Sequence, residues 1–198
     1  MAISAKDVAE LRRQTGVGMM ECKKALTEAG GDMEKATDIL RKRGMAKAEK
    51  RAGRNAREGL IGHYVHFNGK VGVLVDLNCE TDFVARTEDF QTLAKDLSLH
   101  IASAKPVAVS ADDLPEALVA KEREIIQAQV AESGKPEAVW EKIVEGKMRK
   151  FRKELVLLDQ PFVKDDKVSV GQLVTEASAK LGEKVVVRRF VRYELGEE

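Results

Sequence analysis

Disulfide frameworks, zinc clusters and membrane spans all need residues that this 198-residue chain has little of. It has two cysteines, Cys22 and Cys79, far apart in the sequence. With no Cys-x-x-Cys pair, a disulfide scaffold and a cysteine metal site are excluded, and a reducing, cytoplasmic setting is expected. No apolar run approaches the ~20 residues that span a bilayer. Residues 1–6 lack a basic segment leading into an apolar one, so neither a membrane partner nor a secretory leader is expected. An excess of one charge is missing too: 34 Lys and Arg stand against 33 Asp and Glu, for a net charge of +1. That balance gives no global drive toward nucleic acid or acidic lipid. Histidine is scarce as well. His63 and His66 are three apart on an expected strand and so face opposite ways, and His100 lies on the apolar face of an expected helix, where a satisfied, part-buried role fits best. No Gly-x-x-x-x-Gly-Lys-Ser/Thr loop is present to hold nucleotide phosphates. No Ser, His and Asp set is marked by a local motif, and Cys79 has no basic neighbour before Arg86 to activate a thiolate. The expectation is a protein without catalytic residues, metal ligands or cofactor.

What the chain does have is enough length to bury well over half of its unfolded surface, and a start that reads as three short helices. Ser4 with Asp7 forms a capping box for the first, whose inner face is Val8, Leu11 and Thr15. Gly16-Val17-Gly18 breaks it. Met19, Cys22, Leu26 and Ala29 recur at helical spacing on the second, so one of the adjacent pair Met19 and Met20 is expected in the core and the other at the surface. Gly30-Gly31 ends that helix, Asp32 caps the third with its face of Ala36, Ile39 and Leu40, and Gly44 is expected to terminate it. Residues 41–57 hold eight Lys or Arg and one Glu. An RNA-binding module is the alternative reading of this tract, but it has no interleaved aromatics for base stacking. A helical joint is expected, closing an N-terminal module at residues 1–54.

Residues 55–198 read as an α+β core. Two strands, 59–67 and 70–78, flank Asn68-Gly69, the strongest short hairpin signal, and Val71, Val73, Val75 and Leu77 alternate onto one face. A third strand, 185–193, completes an expected three-stranded antiparallel sheet. Helices are expected over 88–103, stopped by Pro106; through Leu118 and Ile126 to Ser133-Gly134; from Pro136 through Trp140 and Phe151; and over 170–181. No strand–helix–strand period calls for a parallel sheet.

The most informative stretch is Asn78-Cys79-Glu80-Thr81-Asp82-Phe83-Val84-Ala85-Arg86, where the second strand runs into a short connection. Locally it reads two ways: a helix start with Asp82 as cap and Phe83 packed beneath it, or a protruding wedge that carries function. The stretch resembles the signature of the elongation factor Ts family, and the resemblance extends over nearly the whole chain. It includes Thr15-Gly16-Val17-Gly18-Met19-Met20 with Lys23-Lys24-Ala25-Leu26, then Ser133-Gly134-Lys135-Pro136, Gln160-Pro161-Phe162-Val163 and Lys180-Leu181-Gly182-Glu183-Lys184. The chain looks like the short form, without the second half-core and C-terminal helical module of longer members.

The resemblance implies a ubiquitin-associated-like three-helix bundle ahead of the core. It implies a guanine-nucleotide exchange factor that binds elongation factor Tu and releases GDP by dislodging Mg²⁺ and loosening the phosphate loop. Thr81, Asp82, Phe83 and Val84 would be the wedge. Val17, Met19, Met20 and Lys23 would bind the partner from the N-terminal module, with further contacts from His100, Leu181 and Gly182. Direct nucleic-acid contact is not expected. A single half-core also leaves Val191 and Tyr193, or Val186 and Phe190, uncovered on the third strand, so a homodimer is expected.

Overall fold

The computed structural model describes residues 3–197, so Met1 and Ala2 of the expected module and Glu198 of the expected core lie outside the described residues. The helices are α1 (Ala5–Thr15), α2 (Met19–Glu28), α3 (Met33–Arg51), α4 (Asp82–Ala85), α5 (Glu88–Ala104), α6 (Glu116–Ala131), α7 (Trp140–Leu155) and α8 (Val170–Leu181). The strands are β1 (Glu58–Val65), β2 (Val71–Cys79), β3 (Pro161–Phe162), β4 (Asp165–Ser169) and β5 (Val186–Glu194). The chain gathers into two compact units. One holds the residues up to Ile61, Asp76–Ala94 and Leu173–Val186; the other holds Gly62–Val75, Lys95–Gln172 and the residues from Val187 on.

In the first unit the caps set the helices. The Ser4 hydroxyl accepts from the Asp7 amide and the Asp7 carboxylate accepts from the Ser4 amide, both at 3.2 Å, so two amides that α1 leaves unpaired are satisfied at once. Gly16 closes α1 in the left-handed region at φ 67°. Asp32 accepts from the Lys35 amide at 3.0 Å and starts α3. Val8, Leu11, Cys22, Ala25, Leu26, Ala36 and Leu40 form one buried cluster.

Two expectations fail here. Gly44 does not end α3, which continues to Arg51 and carries most of the basic tract on its second half. Gly44 is instead a point of close approach: a Cβ built on it would lie 2.9 Å from the Ala179 Cβ of α8. Met19 and Met20 are both exposed, because the short α2 already fills its inner face with Cys22, Ala25 and Leu26.

β1, β2 and β5 form a three-stranded sheet in that order. On β2, Val73, Val75, Leu77 and Cys79 are buried, as the alternation requires. The hairpin turn sits one residue earlier than expected. Gly69 donates to the His66 carbonyl at 2.8 Å, which makes Phe67 and Asn68 the central residues, and Gly69 follows them at φ 69°. His66 then donates to the Val71 carbonyl at 2.9 Å. Leu195 donates to the Lys70 carbonyl at 2.9 Å, so the end of β5 meets the start of β2 and the pair is antiparallel.

In the second unit α6 and α7 pack as a helical hairpin over Ile126, Val130, Val144 and Met148. β3 and β4 make a small antiparallel ribbon that the sequence did not announce, since one strand has two residues and the other is largely polar. The buried Arg192 side chain donates to the Ala102 carbonyl of α5 at 3.3 Å. That face of β5 therefore lies against α5, while Val191 and Tyr193 are exposed.

Candidate partner-binding surface

β2 delivers the chain to Glu80 and Thr81, and the one-turn helix α4 follows. A helix of four residues cannot support itself, because nucleation fixes several residues for a single bond. Its geometry comes from outside. The Thr81 hydroxyl accepts from the Val84 amide at 3.4 Å and donates to Glu183 Oε1 at 2.7 Å. Glu183 Oε2 accepts from the Glu80 and Thr81 amides at 3.1 and 3.0 Å. In return Glu80 Oε1 accepts from the Lys184 amide at 2.7 Å, and Arg54 donates to Glu80 Oε2 at 3.2 Å. The Lys184 amide first, and then Arg54, hold the Glu80 carboxyl below its ordinary pKa. Beneath the connection the Cys79 thiol donates to the Thr81 carbonyl at 3.1 Å. Burial, followed by the nearby Glu183 charge, pushes that thiol up to about 11, so it is a protonated structural group at neutral pH.

Thr81, not Asp82, is the cap of α4, and Asp82 pairs with Arg86 at 2.8 Å across one turn. Phe83 is not packed beneath the helix: it is 78% exposed, while Ala85 is buried in its place. The connection thus presents an uncovered phenyl beside a carboxylate, on backbone tied down by four directed hydrogen bonds.

The C-terminal end of α8 meets the N-terminal module as well. A Cβ on Gly16 would fall 2.4 Å from Lys180 Cε, so only glycine lets the lysine stem lie across the loop that leads to Val17 and Met19. Lys180 Nζ reaches Asp89 at 2.7 Å. Gly182 follows at φ 78° as the reversing residue, and it is exposed while Leu181 is partly covered. Lys184 Nζ donates to the Ala52 and Arg54 carbonyls at 2.6 and 2.9 Å, closing off the end of α3. Lys180 to Lys184 therefore touches both the Gly16 loop and the base of the wedge. On α2, Met20 and Lys23 line a shallow cleft with Thr27 and Arg43.

His100 lies in the second unit. It is 1% exposed, accepts from the Val163 amide at 3.2 Å through Nδ1, and so donates from Nε2 to Gln160 Oε1 at 2.9 Å. Burial holds its pKa below the ordinary value. It is a satisfied core histidine with no surface to offer.

Much of the basic tract is committed within the chain. Arg41 pairs with Glu176 at 2.9 Å, Arg43 with Glu28 at 2.5 Å, Lys47 with Glu21 at 3.6 Å and Arg54 with Glu80 at 3.2 Å. Arg51 donates to the Ser178 carbonyl at 3.1 Å. Five of its eight cations thus have partners, which weakens the RNA-binding reading. No group of three His, Cys, Asp or Glu side chains among the described residues could hold a metal ion. No helix among the described residues is long and apolar enough to cross a membrane.

Sequence reasoning missed Glu80, Lys180, Glu183 and Lys184 as builders of the site. Their pairings join positions about a hundred residues apart, and no local pattern reports such a contact.

Comparison with known proteins shows the family. The family described as Elongation factor TS matches residues 6–197. Curated relatives named Elongation factor Ts include those of Moorella thermoacetica, 57% identical over 195 residues covering 98% of this chain and 96% of the relative, and Desulforamulus reducens, 56% identical and covering 98% and 90%. That of Acetivibrio thermocellus is 55% identical and covers 98% and 91%. The chain belongs to the elongation factor Ts family of translation elongation factors.

Proposed function

We propose that this chain is a cytoplasmic guanine-nucleotide exchange factor, without an active site or cofactor of its own, that binds elongation factor Tu–GDP and speeds GDP release so that GTP can replace it. The observation that carries this reading is Phe83, an exposed phenyl on a connection whose backbone cannot easily yield. A GTPase holds GDP through a phosphate loop and Mg²⁺. Phe83 inserts into an apolar cleft between GTPase helices near the metal, and Asp82 competes for the polar groups that order the metal's water shell. The helices move, Mg²⁺ loosens and GDP leaves. Only a factor that binds the nucleotide-free state more tightly than the GDP state can do this, and GDP must weaken factor binding by the same ratio.

The N-terminal module supplies the grip. Met19 and Met20 are flexible thioethers on an exposed face, suited to an irregular apolar surface. Val17 and Lys23 flank them, and Leu181-Gly182 adds a contact beside the wedge. Residues 1–54 serve as a module with its own buried cluster, joined to the core of residues 55–198. The deciding measurement is stopped-flow release of fluorescent GDP from elongation factor Tu. Micromolar amounts of this protein should accelerate it many-fold, and an unchanged rate would remove the proposal.

A second copy of the chain completes the assembly. Antiparallel counting from the Leu195–Lys70 and His66–Val71 bonds sets Val191 beside Leu74 and both Tyr193 and Val65 beside Gly72. Val65, Leu74, Val191 and Tyr193 are all exposed, and such a run of apolar side chains on one sheet face favours a two-fold homodimer.

A further inference from the structure

We infer that Glu183 is a positioning residue for the wedge: its carboxylate fixes the Glu80–Thr81 backbone from which Asp82 and Phe83 are presented. The inference rests on the exchange reading above. Two consecutive amides converge on one carboxylate oxygen, Glu80 at 3.1 Å and Thr81 at 3.0 Å, and the Thr81 hydroxyl takes the other oxygen at 2.7 Å. Successive amides aimed at one point form a cradle for negative charge, and here the charge comes from the chain itself. The staple is reciprocal, because Glu80 holds the Lys184 amide at 2.7 Å. Each carboxylate thus restrains the backbone beside the other.

The residue reaches this place because Gly182 reverses the chain at φ 78° immediately after α8. Glu183 makes no hydrogen bond to Asp82 or Phe83, so its effect on a partner passes through geometry. The Thr81 hydroxyl is the joint: it takes orientation from Glu183 and passes it to the Val84 amide, the first turn of α4.

A wedge ordered before binding avoids the entropy cost of ordering on contact. Removing Glu183 frees the connection in the unbound protein while leaving every partner-touching side chain in place. Productive association should then weaken, and the rate at saturation should survive, because the bound wedge can still adopt the same form. Loss of the contact residue itself would lower the saturated rate. Simple misfolding of part of the protein would also raise the apparent half-saturating concentration, but it would lower amide protection throughout the fold rather than at the connection alone.

The test uses the intact protein with elongation factor Tu and fluorescent GDP, across a range of factor concentration, together with amide hydrogen exchange at Glu80, Thr81 and Val84. Glu183→Ala should raise the half-saturating concentration about tenfold, with the saturated rate within about twofold of wild type. The three amides should exchange about tenfold faster. Glu183→Gln should recover most of both readouts, since its carbonyl accepts from both amides and its NH₂ meets the Thr81 hydroxyl. If Glu183→Ala folds poorly, Thr81→Val keeps both backbone bonds, loses only the joint, and should show the same split at about threefold. Amides that stay protected in Glu183→Ala overturn the positioning role alone. Amides that loosen while GDP release is unchanged at every concentration overturn it together with the wedge reading.

Discussion

Phe67 and Phe83 flank the two ends of β2, and both are exposed, 92% and 78%. By composition and burial they look alike, yet the chain treats them differently. Phe67 rides on a turn closed by its own neighbours, Gly69 to His66 at 2.8 Å, His66 to Val71 at 2.9 Å and the Lys70 amide to Asn68 Oδ1 at 3.0 Å, with one distant bond, Leu195 to the Lys70 carbonyl at 2.9 Å, behind it where the strands begin. Phe83 rides on a connection held from positions 183 and 184, about a hundred residues away in sequence. Scattered exposed apolar residues are ordinary and need no account. Long-range polar bonds to the backbone that leads into a four-residue helix do need one. The lesson is that the supporting bonds mark a candidate site better than exposure does.

The sharpest break of that comparison is truncation of each ring. Phe83→Ala should slow stimulated GDP release about thirtyfold, the ~2 kcal/mol typical of a buried interface anchor, with the thermal midpoint unchanged. Phe67→Ala should release GDP at the wild-type rate. Equal defects in stopped-flow traces would mean that exposure alone was the signal and that the tied backbone carries no weight.

The sheet face of the second unit comes next in size. Tyr193→Glu places a charge beside Gly72, on the sheet face it shares with Val65, where the proposed second copy would bury it. Light scattering at micromolar concentration should show the dimer weakened at least tenfold. A wild-type protein that is strictly monomeric would assign Val191 and Tyr193 to another partner, or to none.

A smaller effect is expected from Asp82→Asn. Thr81 and not Asp82 caps α4, so the helix start stays intact and only the charge and its pairing with Arg86 are altered. GDP release should fall about threefold, and the deficit should change with Mg²⁺ concentration. A deficit that is the same with Mg²⁺ scarce or abundant would remove metal dislodgement from the mechanism while leaving the Phe83 wedge standing.

These contrasts follow what local sequence can and cannot encode. The Ser4–Asp7 box, the Asp32 cap, the alternation along β2 and the Val170–Leu181 helix were readable because each depends on residues within a few positions of one another. Gly44 misled because a helix-ending glycine and a close-packing glycine look the same until Ala179 is seen against it. Asn68-Gly69 marked the turn but not its register, since Gly69 serves equally in the turn or just after it. The exposure of Phe83 was not readable either: Asp-Phe after a strand fits a capped, packed helix just as well. Glu183 holds Thr81 in the arrangement observed, and that pairing has no sequence period to reveal it.

The smallest effect tests the tie through acid. Glu80 has its folded pKa lowered from the ordinary 4.5, by the Lys184 amide first and Arg54 after it. A depressed carboxylate contributes fully above its unfolded value and loses that contribution as pH falls through the lower folded value. From pH 7 down to about 5 the staple should therefore hold. Below 4.5 and on through the folded value, protonation removes the negative charge that strengthens the Lys184 amide bond and pairs with Arg54. Amide protection at Lys184, corrected for the intrinsic pH dependence of exchange, should drop over that interval. The Gly69 and His66 amides donate to backbone carbonyls and have no carboxylate partner, so their protection should not change until the protein unfolds as a whole. If both ends of β2 lose protection together, Glu80 is only a passenger on global acid unfolding. If Lys184 loosens first, the distinction between a connection tied by carboxylates and one tied by backbone bonds is a property of the molecule in solution.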